Sequence, residues 1–223
     1  MDSAFYETLL LTAKLATWTT VILLVIGFPI AYLLAYRRFF FKPIVEAFIS
    51  MPLVLPPTVL GFYMLVAYSP QNAFGRFLEQ TFDLRLAFSF EGVLLASVIF
   101  SLPFMIQPLQ NGLMSIPNSF KEASRTLGKS GFTTFIRVLV PNMIPSVITA
   151  IAMTFAHCIG EFGVVIMVGG NMPGETRVAS IAIYDEVQSL NYETANRYSF
   201  VLFIVSMLIL TLIYSINSKK KIL

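Results

Sequence analysis

The chain has 223 residues, of which 57% are hydrophobic and 12% are charged, and its formal net charge at pH 7 is +3. Soluble domains carry roughly 25% charged residues, so this composition excludes a soluble globular protein and predicts an all-α integral membrane protein. The single cysteine, Cys158, excludes an internal disulfide and a cysteine metal site, and we expect no metal ligands, no catalytic residues and no nucleic-acid partner for this chain.

A helix needs roughly 20 mainly apolar residues to cross about 30 Å of hydrocarbon. Five stretches of the sequence meet this requirement, at about residues 15–36, 45–68, 92–109, 143–167 and 198–216. They predict one transmembrane domain with five spans over residues 1–223. Because five is an odd number, the two termini are expected on opposite sides of the membrane.

The second span contains three prolines, among them Pro56 and Pro57, and then Gly61. Backbone groups that proline leaves without a partner in a membrane must be satisfied by protein or by water. We therefore predict a kinked helix that lines a cavity, with Thr58 as the polar group that faces the cavity. A purely structural kink is the alternative.

The loop at about residues 117–141, between the third and fourth spans, contains a short predicted helix. Ser119 can cap the first turn of this helix, and Glu122 three residues later completes a capping box. Gly128 suits the left-handed position at which a helix stops. About eight helical residues fit between these signals, and a helix of that length is not stable alone in water.

One face of the predicted loop helix is apolar, because Phe120, Ala123 and Leu127 follow the helical spacing i, i+3, i+7. A helix this short with an apolar face is expected to dock into a partner. The tripeptide Gly128–Ser130 also fits the end of a phosphate-binding loop. No strand precedes it and no second domain is available to hold a nucleotide, so we expect no ATP hydrolysis by this chain.

Glu161 interrupts the fourth span and lies among Gly160, Phe162 and Gly163. An ionisable residue at membrane depth is costly and marks a functional candidate that faces a cavity or a partner. His157 precedes Glu161 by four residues, so the two side chains can hydrogen-bond along one helix face. The flanking glycines permit tight packing or bending at this point.

The segment between the fourth and fifth spans begins with a turn-rich cluster at residues 169–174. It continues into a predicted short amphipathic helix, Thr176–Gln188, near the membrane surface. Asn171 and Arg177 stand at this transition and are candidates for contacts outside the membrane. Solvated surface is the alternative for Arg177.

Positive charge predicts the orientation of the chain, because Lys and Arg are enriched on the cytoplasmic side. Ten cations follow the first, third and fifth spans: Arg37, Arg38, Lys42, Lys121, Arg125, Lys129, Arg137, Lys219, Lys220 and Lys221. The other side carries fewer cations and most of the acidic residues. We therefore predict a multi-pass protein of the cell (inner) membrane, with its N-terminus outside and its C-terminus in the cytoplasm.

The loop helix and the residues after it resemble the cytoplasmic loop of permease subunits of ABC importers, which follows the pattern E-A-A-x3-G-x9-I-x-L-P. The matching positions here are Glu122, Ala123, Ser124, Gly128, Val138, Val140 and Pro141. Ser replaces the second Ala of the pattern, and Val replaces both Ile and Leu. Two further stretches, MPLVLPPTVLGFYML and GEFGVVIMVGGNMPGETRVASIAIY, are similar to those of molybdate permeases, with sulfate and tungstate permeases next.

The resemblance implies the fold of a type I ABC importer permease, with a short cytoplasmic coupling helix in the loop. It implies a second copy of this chain, a cytoplasmic ABC ATPase dimer that holds ATP and magnesium, and an external molybdate-binding protein as partners, all in membrane lipid. The residues that would contact the ATPase are Glu122, Ala123, Arg125, Leu127 and Gly128. This chain itself would hold no cofactor.

The resemblance also implies where the anion passes. The expected translocation path runs along Pro56, Pro57, Thr58, Glu161, Phe162 and Gly163, with Phe162 as a candidate gate. A carboxylate beside an anion path repels the anion, so Glu161 is expected to pair with a backbone or arginine group rather than to bind substrate. Asn171 and Arg177 become candidate contacts of the binding protein. A stand-alone secondary transporter is the competing prediction, but such proteins usually contain two repeated halves.

Overall fold

The computed structural model describes residues 3–219, with side chains for residues 3–215, and its regular secondary structure over that range is entirely helical. The α-helices are α1 (Ser3–Tyr36), α2 (Lys42–Ser50), α3 (Pro57–Tyr68), α4 (Ala73–Phe82), α5 (Phe90–Met114), α6 (Asn118–Thr126), α7 (Gly131–Thr134), α8 (Val140–Asn142), α9 (Ile144–Gly160), α10 (Gly163–Gly169), α11 (Ala179–Gln188) and α12 (Tyr192–Lys219). The predicted all-α class is confirmed. Lys220, Lys221 and the side chain of Lys219, counted above among the inner cations, lie outside the described residues.

Three helices, α1, α5 and α12, are each long and apolar enough to cross a membrane. Two bent pairs can add one crossing each. Residues Lys42–Leu53 meet α3 at an angle of 109°, and the segment Gly131–Asn142 meets α9 at 76°. The described chain therefore has three to five crossings, and the count of five stays a prediction.

The predicted kink in the second span is a complete break. Pro56 has the extended conformation (φ −55°, ψ 133°), as expected for a residue that precedes another proline. Pro57 then occupies the first turn of α3, where its missing N–H leaves no hydrogen bond unmade. The preceding helical segment ends at Leu53, and the two prolines begin the next one in a new direction.

The fourth predicted span, residues 143–167, is broken at the point where the sequence places Glu161 among glycines. Helix α9 ends at Gly160, Glu161 is extended (ψ 128°), and α10 begins at Gly163. The local reason is the sequence Gly160–Gly163, which gives little helix propensity at a point where the Glu161 side chain has a local backbone amide to bind.

Helix α5 is the centre of the fold and packs against α1, α9, α10 and α3. Small residues allow its close approach to α9, since a β-carbon on Gly112 would lie 2.5 Å from the Ser146 Cβ. One core cluster surrounds the junction of α3 and α10 and includes Leu60 and Val164. A second surrounds the end of α5 and includes Met105 and Leu109.

Two further elements lie outside these long helices. Helix α4 forms within residues 69–89, the polar stretch between the second and third predicted spans, for which the sequence pattern gave no helix. Helix α11 confirms the predicted short helix but starts at Ala179, three residues later than expected. Its Ile181 and Ala182 are fully buried and its Tyr184 is exposed, so one side of α11 packs into the bundle, as expected of an amphipathic helix.

Candidate functional site

Helix α6 begins differently from the prediction. Pro117 is its N-cap residue, in an extended conformation (φ −56°, ψ 141°), and no side chain caps the helix. The Pro117 carbonyl accepts a hydrogen bond of 3.2 Å from the Phe120 amide, which places Ser119 inside the first turn. The predicted capping box of Ser119 and Glu122 is therefore wrong, because the N-cap position falls on Pro117, two residues before Ser119.

The end of α6 agrees with the prediction. Gly128 has φ +69°, the left-handed conformation that glycine adopts most readily. The Gly128 amide donates to the Arg125 carbonyl at 2.9 Å, and the Lys129 amide donates to the Ser124 carbonyl at 3.1 Å. This pair of bonds is a Schellman motif. No strand precedes Gly128–Ser130 within residues 3–219, so the tripeptide has the setting of a helix stop and not of a phosphate loop.

The side chains of α6 differ in exposure. We call the exposed residues Phe120, Glu122, Ala123, Arg125 and Leu127 together the outer face of α6. Phe120 is 44% exposed and Leu127 is 74% exposed, so apolar surface lies open here beside charged groups. Ser124, which neighbours Phe120 and Leu127 on the same side of the helix, is buried, and its Oγ shares a hydrogen bond of 2.8 Å with Oγ1 of Thr134 in α7.

Lys121 is partly buried and lies over an aromatic ring. Its Nζ lies 3.2 Å from the centroid of the Tyr36 ring at the end of α1. Burial lowers the pKa of Lys121, and the positive charge of Arg125 lowers it further. The sequence indicated only a cytoplasmic cation here, because nothing in the local pattern shows which aromatic ring the chain brings beside it.

The predicted path residues of the second and fourth spans meet in space. A β-carbon on Gly163 would lie 2.5 Å from the Pro57 Cβ, and one on Gly61 would lie 2.7 Å from the Met167 Cβ. Helices α3 and α10 therefore pack with almost no side chain between them at these points. Pro56, Pro57 and Thr58 are exposed at the start of α3.

Glu161 is 4% exposed and serves the backbone of α10. Its Oε1 accepts a hydrogen bond of 2.9 Å from the Val164 amide, one of the amides that the first turn of a helix leaves free. The predicted pairing of Glu161 with a backbone group is thus seen. The predicted hydrogen bond to His157 is absent, since His157 Nε2 lies 3.6 Å from Glu161 Oε2 and the His157 ring stacks on Phe104 instead.

Further contacts that the sequence did not indicate hold this break in place. Ser180 Oγ in α11 donates to the Glu161 carbonyl at 2.5 Å, and the Ala179 amide donates to Thr12 Oγ1 in α1 at 2.8 Å. The Phe162 ring, the candidate gate, is half-buried and lies 5.0 Å from the Tyr184 ring of α11, centroid to centroid. Helix α11 therefore links the break to α1.

The two candidate contacts of the binding protein, Asn171 and Arg177, differ in their surroundings. Asn171 is exposed in the turn after α10. Arg177 is half-buried, and its guanidinium lies 2.9 Å from Asp185 Oδ2 and 3.3 Å from Glu186 Oε1. Its charge is thus paired within the chain. Among the described residues, no group of three or more His, Cys, Asp or Glu side chains is placed to hold a metal ion.

Residues 27–218 match the family described as the binding-protein-dependent transport system inner membrane component. The chain is 45% identical over 206 residues to the molybdenum transport system permease protein of Azotobacter vinelandii, covering 92% of this chain and 91% of the relative. It is 33% identical over 202 residues to a probable sulfate transport system permease protein of Prototheca wickerhamii, covering 91% of this chain and 79% of the relative.

Two solved structures share the fold. The inward-facing methionine ABC transporter superimposes with a TM-score of 0.72 at 20% identity, covering 97% of each chain. A bacterial ABC transporter that imports alginate superimposes with a TM-score of 0.79 at 13% identity, covering 98% of this chain and 80% of the other. At these identities the likeness shows the fold alone, that of an ABC importer membrane subunit.

Proposed function

Since the chain belongs to the family of binding-protein-dependent transport system inner membrane components, we propose that it is the permease subunit of an ABC importer that brings molybdate into the cytoplasm. A separate ATPase dimer with bound ATP and magnesium supplies the energy, and a binding protein outside the membrane delivers the anion. Two copies of this chain form the pathway between them.

The observation that carries this proposal is the outer face of α6. A two-turn helix is not stable alone, and this one is held by the hydrogen bond of Ser124 to Thr134 while Phe120 and Leu127 stay exposed. Apolar side chains ringed by charges are typical of a surface that docks into another protein. Glu122, Ala123, Arg125, Leu127 and Gly128 would form the contact with the ATPase on the cytoplasmic side.

The choice of anion rests on the relatives. The 45% identity to the Azotobacter vinelandii molybdenum permease covers nearly the whole chain and exceeds the 33% identity to the Prototheca wickerhamii sulfate permease. Molybdate, sulfate and tungstate are all tetrahedral dianions, so sulfate import is the second candidate. Selection among them would belong mainly to the binding protein, because no Lys or Arg lies in the middle of a predicted span to fix an anion.

The proposed path runs beside the junction of α3 and α10. Pro56, Pro57 and Thr58 are exposed there, and the carboxylate of Glu161 is bound to the Val164 amide. An anion that passes would meet the hydroxyl and the helix start of α3 rather than a fixed cation. Weak binding of this kind suits a pathway through which the anion must be released.

Alternating access would follow from closure of the ATPase dimer. Closure draws the two α6 helices of the permease pair together and turns the cavity outward, and release of the hydrolysis products returns it inward. In this orientation the N-terminus lies outside the cytoplasm and α6 within it. Asn171 and Arg177 would then face the binding protein.

The test is uptake of isotope-labelled molybdate by liposomes that contain this chain, its cognate ATPase and its binding protein, with sulfate and tungstate as competitors. We expect uptake that requires ATP and that tungstate suppresses more than sulfate does. Gly128→Trp should abolish uptake while the subunits still assemble. Gly128→Ala must adopt the same left-handed backbone conformation but adds only a methyl group, so it should retain part of the uptake.

Three results would change the proposal. Uptake of sulfate without molybdate would keep the importer and replace its substrate. Uptake without ATP or partners would contradict an ABC permease. Full uptake by Gly128→Trp would show that the end of α6 is not part of the contact with the ATPase.

A further inference from the structure

The junction between α5 and α6 is short. Helix α5 ends at Met114 and α6 begins at Asn118, so only Ser115, Ile116 and Pro117 lie between them. Ile116 is 8% exposed and packs in the core cluster at the end of α5. The angle between the two helices is therefore set by contacts across this junction and not by a flexible linker.

Tyr36, the last residue of α1, contacts both sides of the junction. Its hydroxyl donates a hydrogen bond of 2.7 Å to the Leu113 carbonyl in the last turn of α5. The centroid of its ring lies 3.2 Å from Lys121 Nζ, in the first turn of α6, and the ammonium group is over the ring face. One side chain thus joins the end of α1 to the ends of α5 and α6, which lie about 80 residues further along the chain.

Both contacts of Tyr36 are specific in direction. Among the residues that the structure describes, the Leu113 carbonyl otherwise receives only a long bond of 3.4 Å from the Ile116 amide, so the tyrosine hydroxyl supplies its short hydrogen bond. An ammonium group is attracted to the face of an aromatic ring, and more strongly where water is partly excluded. Lys121 is partly buried, so water is partly excluded at this position, and this burial lowers the pKa of its ammonium group.

The contacts of Tyr36 continue into the rest of the cytoplasmic end of the bundle. The Tyr32 ring lies 5.1 Å from the Tyr36 ring and 5.5 Å from the Phe135 ring, both edge to face. Phe135 begins the π-helical turn Phe135–Leu139 that follows α7. A displacement of α6 therefore meets resistance from α1 on one side and, through Ser124 and Thr134, from α7 on the other.

We propose that Tyr36 is a positioning residue that holds the angle between α5 and α6, so that α1 and α5 move together with α6 when the ATPase displaces it. This inference rests on the proposed importer function. Without Tyr36, α6 would tilt about the three-residue junction, and part of the displacement that ATP binding produces would be lost before it reaches the membrane helices.

The experiment measures molybdate uptake and ATP hydrolysis in the same liposomes, with the complete importer, for a set of matched variants. Tyr36→Leu removes both contacts, and Tyr36→Phe removes only the hydrogen bond to Leu113. Lys121→Met removes the cation, whereas Lys121→Arg keeps a cation that stacks on the ring. Tyr32→Phe is the control, because the Tyr32 hydroxyl makes no hydrogen bond among the described side chains.

We expect Tyr36→Leu to lower the number of anions imported per ATP hydrolysed by about fivefold, the scale of effect of residues that modulate coupling. Tyr36→Phe and Lys121→Met should lie between this variant and the unaltered protein, and Lys121→Arg should restore the ratio. Tyr32→Phe should leave it unchanged. Loss of structure alone would lower uptake and hydrolysis in proportion and would not move the ratio.

An unchanged ratio in Tyr36→Leu, with normal uptake by the unaltered importer, would overturn the role of Tyr36 and leave the proposed function intact. A ratio lowered equally by Tyr32→Phe would also overturn it. Absence of ATP-dependent uptake in the unaltered importer would instead overturn the proposed function, and this inference with it.

Discussion

Gly163 lies so close to Pro57 that a β-carbon added to the glycine would come within 2.5 Å of the Pro57 Cβ. The two residues begin α10 and α3, each directly after a break in its span. The breaks in the second and fourth predicted spans are therefore packed against each other, and the proposed path follows this contact.

Replacing Gly163 with alanine should force α3 and α10 apart, since real Cβ atoms do not approach other atoms this closely. We expect molybdate uptake to fall at least about fivefold, as an overpacked contact costs roughly 1–3 kcal/mol. Gly160→Ala is the matched control, because a β-carbon on Gly160 meets no atom within 4 Å. Equal uptake by the two variants would show that this contact has no role in transport.

The cap that Glu161 provides should be measurable separately from any role in transport. Glu161→Ala leaves the buried Val164 amide without its acceptor, and we expect a loss of about 1 kcal/mol, or about 3 °C in Tm. Glu161→Gln keeps an oxygen acceptor and should retain most of the stability. Thermal unfolding in detergent distinguishes the variants. A Glu161→Gln protein that melts as low as Glu161→Ala would mean that the charge matters and not the hydrogen bond.

What the sequence predicted correctly depends on neighbours in the chain. Pro56 and Pro57 fix local backbone conformation wherever they stand, and Gly128 is the residue that tolerates a positive φ, so the break and the helix stop were both predictable. The same reasoning failed at Ser119, where Pro117 two residues earlier started α6 too soon. Pro117 and Ser119 are competing signals for the start of α6, and the sequence does not show which of them determines it.

What the sequence could not predict depends on contacts between distant parts of the chain. Glu161 was expected to bind a backbone group, but the sequence did not show that this group is the Val164 amide. That amide is free only because α10 begins at Gly163. The contact between Lys121 and Tyr36 has no local signature at all. Nor did the pattern of residues 69–89 reveal α4, whose apolar face includes the exposed Phe77.

Ser124, which stands where the family pattern has alanine, should stabilise α6 through its hydrogen bond to Thr134. We expect Ser124→Ala and Thr134→Val each to lower the stability of the loop by about 1 kcal/mol. The double variant should cost less than the sum of the two, because the same bond is removed twice. Hydrogen exchange of the α6 amides measures the effect. Strictly additive losses would show that the two side chains act independently.

Leu127 should be needed for assembly with the ATPase and not for the fold of the permease. It is 74% exposed, so Leu127→Asp removes little internal packing. Burying a leucine at an interface contributes about 1.5–3 kcal/mol, so affinity for the ATPase should fall roughly tenfold to a hundredfold. Leu190, which is 72% exposed between α11 and α12, provides the control Leu190→Asp. Pull-down of the ATPase and thermal unfolding of the permease should separate the variants: both fold normally, and only Leu127→Asp fails to bind. Normal binding by Leu127→Asp would place the ATPase contact elsewhere on the loop.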